Sequence, residues 1–255
     1  FEVIVHDDAS TDGAVDAARE QFPDARFLLS KENVGYCVSN QRLAEAARGE
    51  YLLLLNNDVE LLPGALEVLY QSILAGHDSI RSLTEYTMGG DLSCRGMGMD
   101  LFFTPFQCRD SGHKVAFAMG ACLLLRRQLW LEIGGYPAFF EYTCEDFYLC
   151  LQARARGVPV EILSESGYRH HMGKSINPDG VNLGRRRISE RNRLYIINEL
   201  LPWRDRLVVW PLFQLMYWLE MIAHAVAGRS LAPLRVPQKL AHREERRIPV
   251  LPLLT

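Results

Sequence analysis

One stretch decides the fold of this 255-residue chain: Tyr51-Leu-Leu-Leu-Leu-Asn56-Asn57-Asp58. Its apolar run is typical of a strand that is buried on both faces of a parallel sheet. Open α/β sheets bind their ligands beyond the carboxyl ends of the strands. We therefore expect Asp58 at the ligand-binding edge of a sheet, where its carboxylate can bind a nucleotide-type substrate or a metal ion that holds one.

Strands and helices alternate along the chain on both sides of this stretch, which predicts an α/β fold with a doubly wound, mostly parallel sheet flanked by helices. Predicted strands lie at Phe1–His6, Arg26–Leu29, Tyr51–Leu55, Val115–Arg126 and Val158–Leu163, and predicted helices at about 14–21, 37–48, 64–75, 128–133 and 145–156. Residues 76–114 show little periodicity, and we expect strands and loops there at one edge of the sheet.

The carboxyl-terminal part differs from the rest of the chain in charge. Residues 1–184 hold 15 Lys and Arg against 25 Asp and Glu, whereas residues 185–255 hold 13 against 6. We therefore divide the chain into an α/β domain at 1–184 and a basic, helical extension at 185–255. The basic extension indicates a phosphate-rich partner or an anionic membrane surface, and a solvated basic tail is the alternative.

The six cysteines form neither a CxxC pair nor a zinc-binding spacing. This usage predicts a reducing, cytoplasmic compartment, although a disulfide between Cys94 and Cys108 stays open as an alternative. The chain shows no signal peptide, and it begins inside a predicted strand. We interpret its first residue, Phe1, as a processed, truncated or incompletely recorded start.

Acidic residues follow two of the predicted strands, as Asp7-Asp8 and as Asn56-Asn57-Asp58. Either group alone is also typical of a turn or a helix cap. If the two strands lie side by side, both groups reach the same edge of the sheet. One acid can then bind the base or ribose of a nucleotide sugar, and the other a divalent cation that bridges its two phosphates.

With these motifs in place, the chain resembles family 2 glycosyltransferases with the GT-A fold. The matches follow the order and spacing of that family across about residues 1–200. The matching stretches are His6-Asp7-Asp8-Ala9-Ser10-Thr11-Asp12-Gly13, Asn33-Val34-Gly35 with Asn40, Asn56-Asn57-Asp58, Gly134-Gly135-Tyr136, Phe139-Phe140, Glu145-Asp146 and His170-His171-Met172-Gly173-Lys174-Ser175. Rhamnosyltransferase-like bacterial members are the most similar, because their metal triplet also carries a single carboxylate.

The resemblance implies a Rossmann-like GT-A sheet and a role for each matching residue. Asp146 is implied as the general base, and Asp58 and His170 as ligands of Mg²⁺ or Mn²⁺. The implied donor-binding residues are Asp7, Asp8, Ser10, Asn33, Gly35, Asn40, Asn57 and Arg191. The implied acceptor-binding residues are Gly135, Tyr136 and Glu145.

Several of these roles have alternatives in the sequence itself. Glu145-Asp146 also suits the acidic first turn of a helix, where the helix dipole stabilises negative charge. His171 competes with His170 as the metal ligand. The arginines at 185–187, 191 and 193 suit either a donor diphosphate or a charged helix face, and the Phe139-Phe140 pair favours packing over acceptor stacking.

The segment 203–228 is apolar and rich in tryptophan, but it contains Pro211, Gln214 and Glu220. A membrane-spanning helix rarely carries such residues. The pattern favours an interfacial helix with tryptophan anchors, and therefore peripheral membrane contact. A helix buried against the α/β domain or against a second subunit is the alternative.

The resemblance implies an inverting enzyme that moves a sugar from a nucleotide-diphosphate donor to a glycan or lipid-linked acceptor in bacterial cell-surface polysaccharide synthesis. Its expected location is the cytoplasm, at the inner face of the plasma membrane, with no nucleic-acid partner. The family has a further strand and helix before the position of Phe1, and the first Asp of its metal motif is Asn56 here. These departures favour one alternative, an inactive GT-A module for glycan binding or assembly. A nucleotidyltransferase also stays open, because its Gly-rich loop would lie before Phe1, although the Glu145-Asp146 and His170 motifs argue against it.

Overall fold

A computed structural model describes residues 1–100, 103–109, 115–171 and 183–226. It confirms the α/β class, with a central sheet flanked by helices. In chain order the elements are β1 (Ile4–Asp7), α1 (Ala14–Gln21), β2 (Arg26–Leu29), α2 (Tyr36–Ala46), β3 (Tyr51–Leu55), β4 (Val59–Leu61), α3 (Ala65–Leu74), β5 (Ile80–Tyr86), β6 (Leu92–Cys94), β7 (Met97–Met99), β8 (Pro105–Gln107), β9 (Cys122–Arg126), α4 (Arg127–Ile133), a 3₁₀ helix (Ala138–Phe140), α5 (Glu145–Ala155), β10 (Val160–His170), α6 (Leu183–Leu200) and α7 (Trp203–Val226).

The main sheet has the strand order β3-β9-β5-β10-β4, with β6 added against β5. The expectation of a mostly parallel sheet is wrong for the described strands, since only the β1–β2 and β5–β10 pairs are parallel. Parallel neighbours need a crossover connection, which is usually a helix. The described residues between β5 and β9 hold only short strands and turns, so β9 returns antiparallel beside β5.

The acidic motifs suggested that β1 and β3 lie side by side, but the two strands are not neighbours. β1 pairs only with β2, in a separate two-stranded sheet, whereas β3 pairs with β9. Helix α2 leads from β2 toward β3 and packs against β1. The two acidic motifs are therefore connected through the start of α2 and not through a shared strand ladder.

The sequence missed the central strand β5, which lies in the segment expected to be irregular and at the edge. β5 pairs with β9, β10 and β6, and residues 80–85 are all buried. The strand predicted at Val115–Arg126 shrinks to Cys122–Arg126, and the strand predicted at Val158–Leu163 extends to His170. This extension carries His170 to the edge of the sheet where β4 begins.

Helices α6 and α7 share the main hydrophobic core with the α/β part of the chain. Ile196, Leu200 and Phe213 belong to the same buried cluster as Trp130 and Leu149. The boundary expected between residues 184 and 185 falls inside α6. None of the described helices combines the length and the hydropathy that a bilayer-spanning helix requires.

Candidate functional site

The candidate metal corner lies where β4 pairs with the end of β10. Antiparallel pairing sets His170 opposite Val59, and it brings His170 Nε2 within 3.1 Å of Asp58 Oδ1. The backbone N–H of His171 also donates to the carbonyl of Asp58, at 3.0 Å. The His170 side chain is 12% exposed and the Asp58 side chain 40%, so His170 is largely buried while Asp58 is accessible to solvent.

The geometry of this pair fits two ligands of one divalent cation. Two octahedral ligand atoms at about 2.1 Å from a metal, at right angles to each other, lie about 3 Å apart. The described residues contain no cluster of three or more His, Cys, Asp or Glu that could hold a metal. Mg²⁺ commonly takes one or two protein ligands, substrate phosphates and water, and Asp58 with His170 suits such a partial set.

The carboxylates of Asp7 and Asp8 make different contacts. Asp8 accepts the backbone N–H of Val34 at 2.7 Å and of Gly35 at 2.9 Å, so it fixes the loop that begins α2. Gly35 has φ +85°, a conformation that favours glycine. Among the described residues, the hydrogen bond that Asp7 accepts comes from the local N–H of Ser10, at 3.2 Å. We therefore expect that Asp7, and not Asp8, contacts the nucleotide-sugar donor.

Tyr36 connects the metal triplet with the candidate base. Its hydroxyl donates to Asn56 Oδ1 at 2.9 Å and also lies 3.3 Å from the carbonyl of Gly120. Burial raises the pKa of Tyr36, and the charges of Glu145 and Asp146 raise it further. The hydroxyl therefore stays protonated and available as a donor.

Asp146 lies in the first turn of α5, as the helix-start alternative predicted. Its Oδ1 accepts the N–H of Phe147 at 2.7 Å, and its Oδ2 accepts the N–H of Gly120 at 2.9 Å. A carboxylate can accept about four hydrogen bonds, so two backbone donors can orient it while it still acts as a base. The contact with Gly120 and Tyr36 joins Asp146 to the metal triplet.

Three of the predicted binding residues are buried beneath the site. Tyr136 is 3% exposed, stacks on Tyr36 at 6.1 Å and meets the edge of Trp130 at 4.8 Å. Gly135 is buried beside it, and the buried Asn40 donates to the carbonyl of Tyr36 at 3.0 Å. These contacts suit a supporting role, and the direct donor and acceptor contacts predicted for the three residues stay predictions.

The remaining predicted residues divide into exposed and engaged groups. Ser10, Asn33 and Asn57 are exposed, and Glu145 is half-buried in the first turn of α5. Arg191 donates to the carbonyl of Phe139 at 2.5 Å and to Glu141 Oε1 at 3.0 Å. These bonds hold the guanidinium against the turn before α5, and its predicted diphosphate contact stays a prediction.

The neighbouring aromatic residues Phe139 and Phe140 pack against helix α6. Phe139 and Phe140 both pack edge-on against Tyr195 of α6, at 4.7 and 5.6 Å. This arrangement agrees with the packing role that the sequence favoured. The sequence motifs did not predict Tyr36 or Gly120, and the one available signal was the position of Tyr36 directly after the Asn33-Val34-Gly35 loop.

Comparison with known proteins finds two relatives of low sequence identity. O-antigen biosynthesis protein RfbC of Myxococcus xanthus is 28% identical over 199 residues, covering 71% of this chain and 16% of that protein. N-acetylglucosaminyl-diphospho-decaprenol L-rhamnosyltransferase of Mycobacterium tuberculosis is 23% identical over 218 residues, covering 69% of this chain and 68% of that protein. The chain thus spans about a sixth of the length of RfbC.

Solved structures share the fold at low sequence identity. GalNAc-T7 with UDP, GalNAc and Mn²⁺ superimposes with a TM-score of 0.60 at 12% identity, covering 78% of this chain and 42% of that one. S. aureus TarS 1–349 with UDP-GlcNAc gives 0.57 at 17% identity, covering 82% and 61%. A sequence model described as Glycosyl transferase family 2 matches residues 1–134. That match covers more than half of the chain, and together with the site geometry it confirms the resemblance seen in the motifs: the chain belongs to glycosyl transferase family 2.

Proposed function

We propose that this protein transfers a sugar, with inversion at the anomeric carbon, from a nucleotide-diphosphate donor to a glycan or lipid-linked acceptor. The observation that carries the proposal is the link between Asp58–His170 and Asp146. The first pair is 3.1 Å apart. Asn56, two residues before Asp58 in the chain, is linked to Asp146 by hydrogen bonds through Tyr36 and Gly120. Direct displacement at the anomeric carbon needs a base for the acceptor and a positive charge near the leaving diphosphate, and this arrangement would hold both in fixed positions.

In this mechanism Asp146 removes the proton from the acceptor hydroxyl. The acceptor oxygen attacks the anomeric carbon from the face opposite the diphosphate, and the bond from that carbon to the diphosphate oxygen breaks. A divalent cation bound by Asp58 and His170 would neutralise negative charge on the departing diphosphate. Asp7, Ser10, Asn33 and Asn57 would bind the donor from the exposed rim, while Asp8 holds the loop at Val34.

Named relatives support the substrate classes. A relative is named as a rhamnosyltransferase with a diphospho-decaprenol substrate, and another as an O-antigen biosynthesis protein. Structural neighbours are described with UDP, UDP-GlcNAc or Mn²⁺. We therefore propose a nucleotide sugar as donor, Mg²⁺ or Mn²⁺ as cofactor, and a role in bacterial cell-surface polysaccharide synthesis.

We further propose that α7 lies on the cytoplasmic surface of an anionic membrane, where a lipid-linked acceptor would be found. Large apolar side chains on this helix are exposed, and those of Trp203, Leu207, Trp218, Leu219 and Ile222 are between 51% and 66% exposed. Residues 227–255, which follow directly, hold six Lys or Arg and two Glu. Apolar burial together with basic charge favours an anionic bilayer over a second protein subunit.

The transfer reaction is tested by release of nucleoside diphosphate from UDP-, GDP- and dTDP-sugars, with Mn²⁺, Mg²⁺ or EDTA present. We expect metal-dependent release and loss of about 10²–10⁴-fold in kcat for Asp146→Asn. Asp16→Asn is the matched control, since Asp16 is also an acid in the first turn of a helix. NMR of the product gives the anomeric configuration. Full activity of Asp146→Asn, or a retained configuration, would exclude this mechanism.

Membrane contact is tested by flotation with vesicles of phosphatidylglycerol and phosphatidylcholine. We expect binding to anionic vesicles that falls with salt, and weaker binding for Leu219→Glu. Leu66→Glu on α3 is the control, because Leu66 is also half-exposed on a helix. Equal flotation of both variants would argue against membrane binding through α7.

Nucleotide binding without turnover on any donor would favour the alternative function, an inactive glycan-binding module.

A further inference from the structure

The turn before the candidate base has an unusual backbone. Glu141, Thr143 and Cys144 have φ of +61°, +70° and +66°, in a region that L-residues other than glycine rarely adopt. Only Ala9 and Phe103 share this property among the other described non-glycine residues. Thr143 is β-branched, which makes its conformation especially unfavourable. Such a turn persists only if its surroundings hold it.

Asn192 of α6 holds this turn. Its side chain is fully buried, and its amide nitrogen donates to the carbonyls of Thr143 at 2.9 Å, Phe140 at 3.0 Å and Tyr142 at 3.4 Å. Arg191 Nε donates to Asn192 Oδ1 at 3.1 Å, which fixes the amide orientation. A carboxamide suits this position because it offers two N–H groups to the turn and an oxygen to the arginine.

The turn is also held on its other side and leads directly into the base. The N–H of Cys37, at the start of α2, donates to the carbonyl of Glu141 at 3.4 Å. The carbonyl of Cys144 accepts the first hydrogen bond of α5, from Tyr148 at 2.9 Å. Asp146 follows Cys144 by two residues, so the path of the turn sets where its carboxylate meets Gly120.

We propose that Asn192 is a positioning residue for the transfer reaction: it keeps the turn 141–144 in its strained conformation and thereby places Asp146 against Gly120. The inference rests on the proposed role of Asp146 as the base. Without the amide, the buried carbonyls lose their donors and the turn relaxes toward negative φ. The first turn of α5 then moves, while Asp58, directly before β4, and His170, at the end of β10, keep their places.

The expected signature is a loss of kcat without a loss of donor binding. We expect Asn192→Ala to lower kcat roughly 10- to 100-fold, because a displacement of about 1 Å can cost that much. The Kd for nucleoside diphosphate with Mn²⁺, measured by calorimetry, should change less than about two-fold. Asn198→Ala on the same helix is the control, and its kcat should match the parent.

A double-mutant cycle separates positioning from a general structural role. If Asn192 acts through Asp146, the variant with both Asn192→Ala and Asp146→Asn should be no slower than Asp146→Asn alone. Adding Thr143→Gly to Asn192→Ala should restore part of kcat, because glycine adopts positive φ without strain. Thr143→Gly also gives a readout if Asn192→Ala alone is too unstable, since the pair can be compared with Thr143→Gly.

Additive losses in the cycle, or equal losses of kcat and nucleotide affinity, would overturn this inference and leave the proposed function intact. Unchanged kcat in Asn192→Ala would do the same. Full activity in Asp146→Asn would instead overturn the proposed base. The two failures are therefore distinguishable in one set of variants.

Discussion

Gly135→Ala tests whether the Gly-Gly-Tyr stretch supports the site from beneath. Gly135 has φ +69°, and a Cβ built there would lie 2.6 Å from Trp130 Cε2, 2.7 Å from Trp130 Nε1 and 2.1 Å from Gln41 Oε1. The indole of Trp130 is fully buried and cannot move aside. Gln41 can move, but its Oε1 accepts the indole N–H at 3.1 Å. Making room for the methyl group therefore breaks that hydrogen bond.

The expected cost follows from three contributions. A Cβ in the left-handed region costs about 1–2 kcal/mol. Overpacking against Trp130 adds about 1–3 kcal/mol, and an indole N–H left without its partner adds about 1–3 kcal/mol. Gly157→Ala is the matched control, because Gly157 has φ +80° and nothing within 4 Å of its Cβ position. We therefore expect Gly135→Ala to be less stable than Gly157→Ala by about 2–6 kcal/mol.

Urea unfolding followed by circular dichroism measures this difference. With a slope of about 2 kcal/mol per molar urea, the midpoints of the two variants should differ by at least about 1 M. The midpoint shift should be accompanied by a loss of kcat, because Tyr136 stacks on Tyr36 and Tyr36 bridges the metal triplet and Gly120. Equal midpoints would refute the crowding argument. Normal stability with a raised KM for the acceptor would return Gly135 to the acceptor site.

Four further predictions test the frame around the site. Asp8→Asn turns one acceptor toward the N–H groups of the 34–35 loop into a donor, so stability should fall by about 1–3 kcal/mol and calorimetry should show weaker nucleotide binding; Asp24→Asn should do neither. Tyr36→Phe should lower kcat about 10-fold with little change in the circular dichroism spectrum, and unchanged kinetics would exclude its bridging role. Burial raises the pKa of Cys122, Cys144 and Cys150 to about 12, so these thiols should react with Ellman's reagent at pH 8 only after unfolding in guanidinium, and rapid labelling of native protein would contradict their burial. Mn²⁺ should bind weakly alone and more tightly with nucleoside diphosphate present, and calorimetry showing equal affinity would argue against a site completed by phosphates.

The sequence predicted the short apolar elements well and failed on β5 for a physical reason. β2 and β3 have the predicted bounds because each is a compact apolar run between turn residues. β5 reads Ile-Arg-Ser-Leu-Thr-Glu-Tyr, and its charged residues suggest solvent. The structure buries Arg81 and Glu85 and gives them partners from elsewhere in the chain. Glu85 accepts hydrogen bonds from Ser93 and Tyr168.

The same limit explains which site residues the sequence could find. Asp58, Asp146 and His170 lie in motifs that resemble those of the family, because the chemistry proposed for them needs those residue types. The proposed roles of Tyr36 and Asn192 rest on contacts with residues about 20 to 84 positions away in sequence. No local sequence pattern around a tyrosine or an asparagine predicts such a contact. These residues became visible only when the fold brought their partners together.

The motif carboxylates differ in how they are held, and this difference explains the sparse metal site. Asp8 and Asp146 each accept two backbone N–H groups, so the fold itself fixes them whatever side chains surround them. The Asp58 carboxylate contacts the imidazole of His170, at a separation that suits two ligands of one cation. A pair of side chains can exchange its mutual contact for a metal ion without disturbing the backbone. The backbone therefore holds Asp8 and Asp146 in place, which leaves Asp146 oriented for its proposed role as the base. We expect the Asp58–His170 pair instead to exchange its mutual contact for a cation whose other ligands come from phosphates and water.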